Sequence, residues 1–532
     1  MSDAFSARPT PLDRMHARLR DSRNPFERNA LYVGRDLNRD FPVLLDVNLL
    51  LEHMHILGAT GSGKTALAII PLVTQLIRRN DGAVVVIDGK GDMALFNSVR
   101  IEAERTGRRF RWFTNQTYRS TYVFNPLEGD ILRTLMPFDI VGYIMQALNL
   151  HHGDEYGRAW FAAVNRAIAR RSLAGTSGSI GRRDLLRAVS YPRPPVGSLL
   201  ELSDVLDELS TLDPDEFKAA RHFCLLVDEL AEIPQMNMSL YAQHPASVRD
   251  QAIQMSKVIR ENEVVYFYLT AGINPISTAE VGRFAVYSLL LAALEHQRLT
   301  GTAGRAYCIC DEAQTIIAQN IAQVLAQARS AGVGFVLSHQ SMGQLRPPGG
   351  TDLRELVMMC TTVKKYLTSR DPWLDEYLSR ASGQTKYFNA SYRQSLDDFA
   401  SGRVGAGYSA PGIAGGDEIG VSEFLGPRLM QHDIQDYSRQ PNTCLFNVER
   451  QSGLSQFHGF MPVHLDWPLH RQEYERRLNS IPWPVGNSET IEVKPPWPEI
   501  VANRAVQEST PSPESALDDL KRIRDERSRR TK

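Results

Sequence analysis

The sequence predicts an α/β protein in which an all-helical segment interrupts a parallel β-sheet. Three observations support this fold class. Residues 43–130 alternate short apolar runs with helical patterns, as βαβ units do. Strand-like runs stop over residues 131–255, and the α/β pattern returns over residues 256–485. We therefore expect one sheet built from two separate stretches of chain, with an all-α domain inserted between them.

The balance of charge limits the classes of function that are open to the chain. Its 532 residues include 60 Lys and Arg against 61 Asp and Glu, a formal net charge of -1. At about 150 residues per domain, this length allows roughly three or four domains, or one large domain with an insertion. A near-neutral total excludes a protein that coats nucleic acid by bulk charge, so any such contact must be local.

The sequence carries no pattern typical of secretion or of a membrane span. The five cysteines are an odd number and do not suggest a disulfide framework. The first residues lack the apolar core of a signal peptide. The best apolar run, residues 284–294, is too short to cross a bilayer. We therefore expect a cytoplasmic protein.

Both ends of the chain are predicted to lie outside the folded core. Residues 1–42 are polar and rich in arginine, and we expect them to form an N-terminal arm. Residues 486–532 are rich in proline and charge, and we expect a flexible C-terminal tail there. A basic stretch at the very end suits either a solvated helix or a docking tail. Glycine-rich residues 402–420 predict a loop within the second part of the sheet.

A phosphate-binding motif lies in the first part of the predicted sheet. The segment from Gly58 to Thr65 matches G-x4-G-K-[ST] in full, between a strand-like run and a helical one. Glycines let backbone N–H groups surround phosphate oxygens, Lys64 places a positive charge on the β- and γ-phosphates, and the Thr65 hydroxyl suits Mg²⁺. We expect ATP and Mg²⁺ here; the alternative is a glycine-rich turn with no ligand. The predicted nucleotide-binding residues are Gly58, Thr60, Gly61, Ser62, Gly63, Lys64, Thr65 and Ala66.

Two strand-like runs end in acidic residues that are candidates for the chemistry. One ends at Asp88 and is followed by Gly89, whereas the other ends at Asp311 and is followed by Glu312. A second carboxylate directly after the first suits ATP hydrolysis, with Asp311 orienting Mg²⁺ and Glu312 polarising the attacking water as general base. We expect Asp88 at the edge of the nucleotide site in a supporting role; the alternative is a turn residue at a strand end.

Two further residues are candidates for contact with nucleotide. Gln340 ends a strand-like run, and ligands of parallel sheets bind at the carboxyl ends of the strands, which places its amide within reach of a γ-phosphate. The alternative is a turn hydrogen bond. Arg329 ends the preceding helical pattern, where an arginine usually complements the helix dipole. In a ring ATPase it could instead reach the nucleotide of a neighbouring subunit.

The order of the motifs resembles a known family. The segments are GATGSGKT (58–65), DGKGD (88–92), FNPLEG (124–129), VVYFYL (264–269), CDEAQ (310–314) and ARSAGVGFVLSHQSMGQL (328–345). Together they resemble the TraG/TraD-like coupling ATPases of conjugation and type IV secretion, which belong to the FtsK/HerA superfamily of hexameric P-loop DNA motors.

The resemblance implies a fold, a set of roles and a set of partners. It implies a RecA-like motor domain with an inserted all-α domain. It also implies six subunits around a central channel, through which DNA moves and in which the protein contacts the DNA backbone independently of sequence. Lys64 and Thr65 match the family's Walker A motif, Asp311 and Glu312 its Walker B motif, and Gln340 its sensor glutamine. Arg329 corresponds in position to the family's arginine that contacts the nucleotide of a neighbouring subunit. The implied partners are DNA, a relaxase or other secreted protein, and a secretion-channel or membrane-anchor protein.

The chain departs from the family in one respect that leaves its task open. The family usually begins with transmembrane helices, and no such segment is evident here. A partner that recruits the protein to the inner membrane would suit a coupling protein, whereas a soluble task would suit a HerA-like motor for DNA repair or defence. A third hypothesis is a receptor in which nucleotide only switches the docking of secreted proteins.

Overall fold

A computed structural model gives the structure of the protein. It describes residues 9–116, 122–128, 132, 135, 137–150, 163–169, 197–212, 214–237, 252–271, 275–318, 320–346, 352–368, 371–393, 418–449 and 460–480.

The described strands form one large sheet and one separate hairpin. The strands are β1 Ala30–Asp36, β2 Pro42–Asp46, β3 Met54–Leu57, β4 Ala83–Asp88, β5 Phe110–Thr114, β6 Val264–Tyr268, β7 Ala306–Asp311, β8 Val333–His339, β9 Val363–Tyr366, β10 Gln384–Arg393, β11 Glu418–Pro427, β12 Thr443–Val448 and β13 Met461–His464. The large sheet has eleven strands in the order β2-β1-β13-β12-β9-β3-β8-β7-β4-β6-β5, and β10 pairs with β11 apart from it.

The α/β fold class is confirmed, and the sheet is mixed. Strands from β9 to β5 in the sheet order run parallel to one another. Most residues of β4, β6, β7 and β8 are apolar and every residue of these four strands is buried, as expected of strands that are covered on both faces. Beyond β9, strands β12, β13, β1 and β2 pair antiparallel.

Helices cover the sheet and link its strands. The α-helices are Pro11–Arg20, Pro25–Arg28, Ile70–Arg79, Met93–Arg105, Pro137–Ala147, Leu199–Leu212, Pro214–Ala231, Pro234–Asn237, Met255–Arg260, Pro275–Thr300, Ile321–Ser330, Arg354–Cys360, Pro372–Ala381, Gln431–Arg439 and Arg471–Asn479. Short 3₁₀ turns lie at Val47–Glu52, Ala313–Thr315 and Met342–Leu345, and a π-helical stretch lies at Lys64–Ile69.

The predicted N-terminal arm contains a strand of the large sheet. β1 lies within residues 1–42 and is hydrogen-bonded between β2 and β13. Its Tyr32 packs with Leu12 and Leu19 of the first helix in a small separate cluster. The sheet therefore begins before residue 43. The apolar run of β1 is only four residues long, residues 30–33, and stands in a segment that is otherwise polar and rich in arginine.

The described residues between 131 and 255 are mostly helical. The helix Leu199–Leu212 buries Leu199, Leu202 and Leu206. Two hydrogen bonds join the region to the helix Pro275–Thr300: one between the Tyr143 hydroxyl and the Ser288 hydroxyl (2.8 Å), and one from Arg283 Nε to the carbonyl of Ala147 (2.7 Å). An independent all-α domain stays a prediction.

Two other predicted segments lie wholly or largely beyond the described residues. The predicted tail at 486–532 lies outside them, as does most of the glycine-rich segment at 402–420, although β11 begins at Glu418. Of the described helices, one segment, Ser277–Thr300, is long and apolar enough to cross a membrane by length and composition. However, 78% of its most apolar window is buried inside the protein, as in a core helix.

Candidate nucleotide site

The motif at residues 58–65 forms a tight loop between β3 and a helix. Gly61 and Gly63 adopt φ values of 81° and 79°, which lie in the left-handed region that favours glycine. A Cβ on Gly63 would also lie only 2.9 Å from Leu67 Cδ1. The loop conformation therefore depends on these two glycines.

The ends of β8 and β9 hold this loop in place. The backbone N–H of Gly58 donates to the carbonyl of His339 (3.2 Å), and that of Ala59 donates to the carbonyl of Thr368 (2.9 Å). Behind the loop, Pro71 has no N–H to offer the carbonyl of Leu67, and Lys365 Nζ lies 3.4 Å from that carbonyl. Because β3 lies between β8 and β9, the loop is anchored on both sides at the carboxyl edge of the sheet.

The structure brings Lys64 together with both predicted acidic residues. Lys64 Nζ lies 3.3 Å from Asp311 Oδ1 and 3.5 Å from Glu312 Oε1. All three side chains are buried. One ammonium group therefore bridges the acid that was expected to orient the metal and the acid that was expected to be the general base.

The two carboxylate oxygens of Asp311 differ in their hydrogen bonds to the described residues. Oδ1 accepts hydrogen bonds from the Ser338 hydroxyl (3.0 Å) and from the backbone N–H of Glu312 (3.1 Å). Oδ2 is buried and has no hydrogen-bond partner among the described residues, and the same holds for Ser62 Oγ. Burial raises the pKa of Asp311 above its usual value. An ionised carboxylate there needs a further cation or donor.

These residues fit a magnesium ion bound together with nucleotide phosphates. Among the described residues, no group of three or more His, Cys, Asp or Glu side chains could hold a metal by itself. Mg²⁺ at such sites takes only one or two ligands from the protein and the rest from phosphates and water. The orphaned oxygen of Asp311 and the hydroxyl of Thr65, which directly follows Lys64, suit that ligand set.

Glu312 is held in a strained backbone conformation by a network of amides. Its φ of 55° is left-handed, which is uncommon for a residue other than glycine and costs about 1–3 kcal/mol. Oε1 accepts from Gln340 Nε2 (2.8 Å) and Oε2 accepts from Gln314 Nε2 (2.8 Å). Burial acts to raise the pKa of Glu312, but the Lys64 charge and these amide donors outweigh burial and lower it. The carboxylate is therefore ionised at neutral pH.

Gln340 joins the phosphate loop to the acidic pair. Its Oε1 accepts from the Thr60 hydroxyl (2.7 Å), while its Nε2 donates to Glu312. The structure thus places Gln340 at the predicted site. Sequence reasoning did not single out Gln314, although it stands only two positions after Glu312, or Ser338, which is the residue of β8 that pairs with Asp311.

Asp88 lies beside Asp311 and organises its own loop. Oδ1 accepts from the backbone N–H groups of Lys90 and Gly91 (both 2.9 Å). Oδ2 accepts from the N–H of Asp92 (2.6 Å) and from the Tyr266 hydroxyl (2.7 Å). Both oxygens therefore already have partners, which favours a role in shaping the loop; contact with nucleotide stays a prediction.

The pKa of Asp88 predicts a pH dependence of stability. Burial and the Asp311 carboxylate raise the pKa of Asp88 to about 7, whereas an unfolded aspartate titrates near ~4. Between these values the folded state holds a proton that the unfolded state has lost, so the free energy of unfolding falls as pH rises through this window. Urea unfolding at pH 5 and pH 8 should show this fall in the wild type and a smaller one in Asp88→Asn. Equal falls in both proteins would contradict the assignment.

Arg329 is the one predicted site residue that lies away from the others. It lies in the last turn of the helix before β8, and its guanidinium pairs with Glu52 Oε1 at 3.2 Å. Glu52 precedes β3, whereas the phosphate loop follows β3, so Arg329 lies at the opposite edge of the sheet from Lys64. Its side chain is 61% exposed. Arg329 therefore does not belong to the cluster around the loop of its own chain.

Comparison with known proteins connects this site to a family. Residues 31–141 match the family model described as the central domain of the helicase HerA. Residues 305–407 match the family model described as the TraM recognition site of TraD and TraG. The first match includes the phosphate loop, and the second includes Asp311, Glu312 and Gln340. No curated protein matches the sequence significantly.

Solved structures share the fold at low sequence identity. A bacterial conjugative coupling protein, TrwBdeltaN70, in its unbound monoclinic form is 14% identical, with a TM-score of 0.51, and the match covers 85% of this chain and 90% of that one. The plasmid coupling protein TrwB with the non-hydrolysable ATP analogue ADPNP is 14% identical, with a TM-score of 0.50 and coverage of 85% and 91%. TrwB with ADP and Mg²⁺ is 15% identical, with a TM-score of 0.48 and coverage of 80% and 87%.

The large mixed sheet and its phosphate loop define a P-loop ATPase fold of the TrwB type. Within this class, the chain combines a HerA-type central domain with a TraG/TraD-type C-terminal domain. Its resemblance to the TraG/TraD-like coupling ATPases of conjugation is thereby confirmed.

Proposed function

We propose that the protein hydrolyses ATP to translocate DNA, and that it delivers DNA or a relaxase–DNA complex to a conjugation or type IV secretion channel. The observation that carries this proposal is the cluster of Lys64, Asp311, Glu312 and Gln340 around the phosphate loop. Asp311 and Glu312 lie at the end of β7, Gln340 follows β8, and Lys64 lies in the phosphate loop after β3, so two neighbouring strand ends and the loop supply the cluster. The matches to HerA and to TraD and TraG support the DNA-motor part of the proposal.

The residues of the site divide the work of hydrolysis. The glycines and Lys64 would hold the phosphates, and Thr65 and Asp311 would hold Mg²⁺. The bound ion would neutralise charge on the phosphate oxygens as the reaction proceeds. Glu312, which is ionised, accepts a proton from the attacking water. Gln340 touches both Thr60 and Glu312, so its amide is placed to respond to the loss of the γ-phosphate.

The proposal includes protein partners and an assembly. The family model that matches residues 305–407 is named for recognition of TraM by TraD and TraG, which supports docking of a partner protein on this region. We infer six subunits around a DNA channel, a relaxase or other secreted protein as cargo, and a channel or anchor protein that recruits this cytoplasmic motor to the inner membrane. The match to the HerA central domain also favours a second candidate, a motor for DNA repair or defence.

ATP turnover in the presence of DNA tests the proposed function. The steady-state rate is measured with no DNA, with single-stranded DNA and with double-stranded DNA, on protein whose oligomeric state is known from light scattering. We expect DNA to stimulate a Mg²⁺-dependent turnover that Lys64→Ala reduces by about 10²- to 10³-fold. A wild-type protein without DNA-stimulated turnover in any oligomeric state would contradict the proposal.

A second experiment tests Arg329 as a residue that acts on a neighbouring subunit. If its guanidinium stabilises charge at the neighbour's nucleotide, Arg329→Ala should lower the kcat of the assembled protein by about 10³-fold and leave nucleotide affinity unchanged. Stability should change little, because an exposed ion pair contributes only about 0–1 kcal/mol.

Glu52→Gln is the matched control for Arg329→Ala. It breaks the ion pair with Arg329 but keeps the arginine. A kcat that falls equally in both variants would assign Arg329 to the ion pair rather than to catalysis.

A further inference from the structure

Two histidines are buried directly beneath the nucleotide site and take no part in the proposed reaction. His55 lies on β3 and His339 on β8, and both are fully buried. Their Nε2 atoms are 2.6 Å apart, and the rings meet edge to edge, with centroids 4.8 Å apart and planes 22° apart. His339 Nδ1 lies 2.9 Å from the carbonyl of Ser341, and His55 Nδ1 lies 3.2 Å from the Tyr366 hydroxyl.

The chemistry of these contacts fixes where each proton lies. A carbonyl only accepts hydrogen bonds, so Nδ1 of His339 carries a hydrogen and donates to Ser341. In a neutral ring, Nε2 of His339 is then an acceptor, and Nε2 of His55 must donate to it. Nδ1 of His55 is left as an acceptor for the Tyr366 hydroxyl. Among the described residues, the only other acceptor for that hydroxyl is the Met358 sulfur (3.2 Å), which accepts weakly.

Both rings are neutral at physiological pH, as this arrangement requires. Burial lowers the pKa of His339 to about 4 and that of His55 well below its usual value. A proton added to either ring would turn its acceptor nitrogen into a donor, so that two N–H groups would face each other or one would face the hydroxyl. These hydrogen bonds therefore form a chain with a single donor-to-acceptor direction, from Tyr366 through His55 and His339 to Ser341.

This hydrogen-bond chain ends at the turn formed by Gln340 and Ser341. On the other side of this turn, the backbone N–H groups of Gln340 (2.9 Å) and Ser341 (3.2 Å) both donate to Gln344 Oε1. Gln344 thus accepts from the N–H groups of the turn, and His339 donates to the carbonyl of Ser341. The side chain of Gln340 leaves this turn to reach Thr60 and Glu312.

We propose that His339 is a positioning residue that fixes the turn at Gln340 and Ser341, and so sets the place of the Gln340 amide between Thr60 and Glu312. His55 acts on the turn only through His339, by holding that ring with its hydrogen on Nδ1. This inference rests on the proposed hydrolysis of ATP at the same site. The stability of the fold does not by itself require two histidines here. Two apolar side chains of similar size at the same positions would fill the space without the free-energy cost of burying polar groups. The pair is instead placed where β3, which leads into the phosphate loop, meets β8, which ends at the sensor.

Two conservative variants of His339 separate positioning from stability. An asparagine amide reaches about as far as Nδ1, so His339→Asn keeps a donor for the Ser341 carbonyl and loses the bond to His55. A glutamine amide reaches about as far as Nε2, so His339→Gln keeps a partner for His55 and leaves the Ser341 carbonyl without its donor. Each variant leaves one buried group unpaired, so the two should lower the Tm by similar amounts.

The two variants should differ at the turn and in turnover. We expect His339→Gln to speed amide hydrogen exchange over residues 340–344 and to lower kcat about tenfold, the effect of one lost hydrogen bond, with the Kd for ATP unchanged. His339→Asn should exchange and turn over like the wild type. Equal loss of kcat in both variants, in proportion to their Tm, would overturn the inference, and so would equal exchange over residues 340–344.

The exchange measurement keeps this inference separate from the proposed function. It needs no turnover, so a wild-type protein that lacks Lys64-dependent hydrolysis would overturn the hydrolysis proposal, while the contrast in exchange would still decide the positioning role. If His339→Gln does not fold, the double variant His55→Leu with His339→Leu removes both rings together. It should raise exchange over residues 340–344 in the same way, and wild-type exchange in that variant would count against the inference.

Discussion

Replacing Lys64 with alanine should reduce ATP turnover by about 10²- to 10³-fold, the loss expected when one charged group that stabilises a transition state is removed. The ammonium of Lys64 lies within 3.3 Å of Asp311 and 3.5 Å of Glu312, at the end of the phosphate loop. The variant would remove the cation that pairs with the β- and γ-phosphates. It would also leave two buried carboxylates without their shared partner. Steady-state kcat and KM at saturating Mg²⁺ measure the loss.

Stability has to be measured beside turnover in this variant. Removal of one partner from a buried ion pair costs about 3–5 kcal/mol, so part of any loss could reflect unfolding. Lys386→Ala is a charge-matched control, because Lys386 is 64% exposed on the separate hairpin and pairs with Glu423 there. A folded Lys64→Ala protein with a kcat close to that of wild type and of Lys386→Ala would show that Lys64 is not part of the machinery.

The parts of the site that follow from local sequence could be predicted. The spacing of Gly58 to Thr65 fixes a phosphate loop, and Asp311 and Gln340 each mark the carboxyl end of a buried strand. Parallel strands end at the same edge of a sheet, so these residues had to lie near one another. Their contacts required only that β3, β8 and β7 be neighbours, which they are.

The rest depends on pairings between distant parts of the chain. The bond between Tyr266 and Asp88 spans 178 positions, and the one between His55 and His339 spans 284. No pattern in the sequence states that β4 lies beside β6 or that β3 lies beside β8. β1 was missed for another reason, since it pairs mainly with the nearby β2. Its short apolar run stands in a segment that is otherwise polar and rich in arginine.

Replacing Glu312 with glutamine should separate nucleotide binding from hydrolysis. The change removes the proton acceptor and keeps the shape of the side chain, so kcat should fall by about 10²- to 10⁴-fold while the Kd for ATP changes little. The network can absorb the new amide. Gln314 now donates through Nε2 and has a buried Oε1 without a partner among the described residues, so a flip of its amide offers an acceptor instead. Fluorescent nucleotide titration and steady-state turnover give the two quantities.

Asp311→Asn provides the contrast that assigns the two acids to different roles. If Asp311 Oδ2 holds Mg²⁺, this variant should weaken the binding of Mg²⁺–ATP, whereas Glu312→Gln should not. Glu104→Gln is the control, because its carboxylate is 54% exposed and pairs only with Arg100 in the described structure. Equal loss of Mg²⁺–ATP affinity in Asp311→Asn and Glu312→Gln would mean that both acids serve the cation. A general base would then have to be sought elsewhere, because no second carboxylate in the described structure bridges Lys64 and Gln340 as Glu312 does.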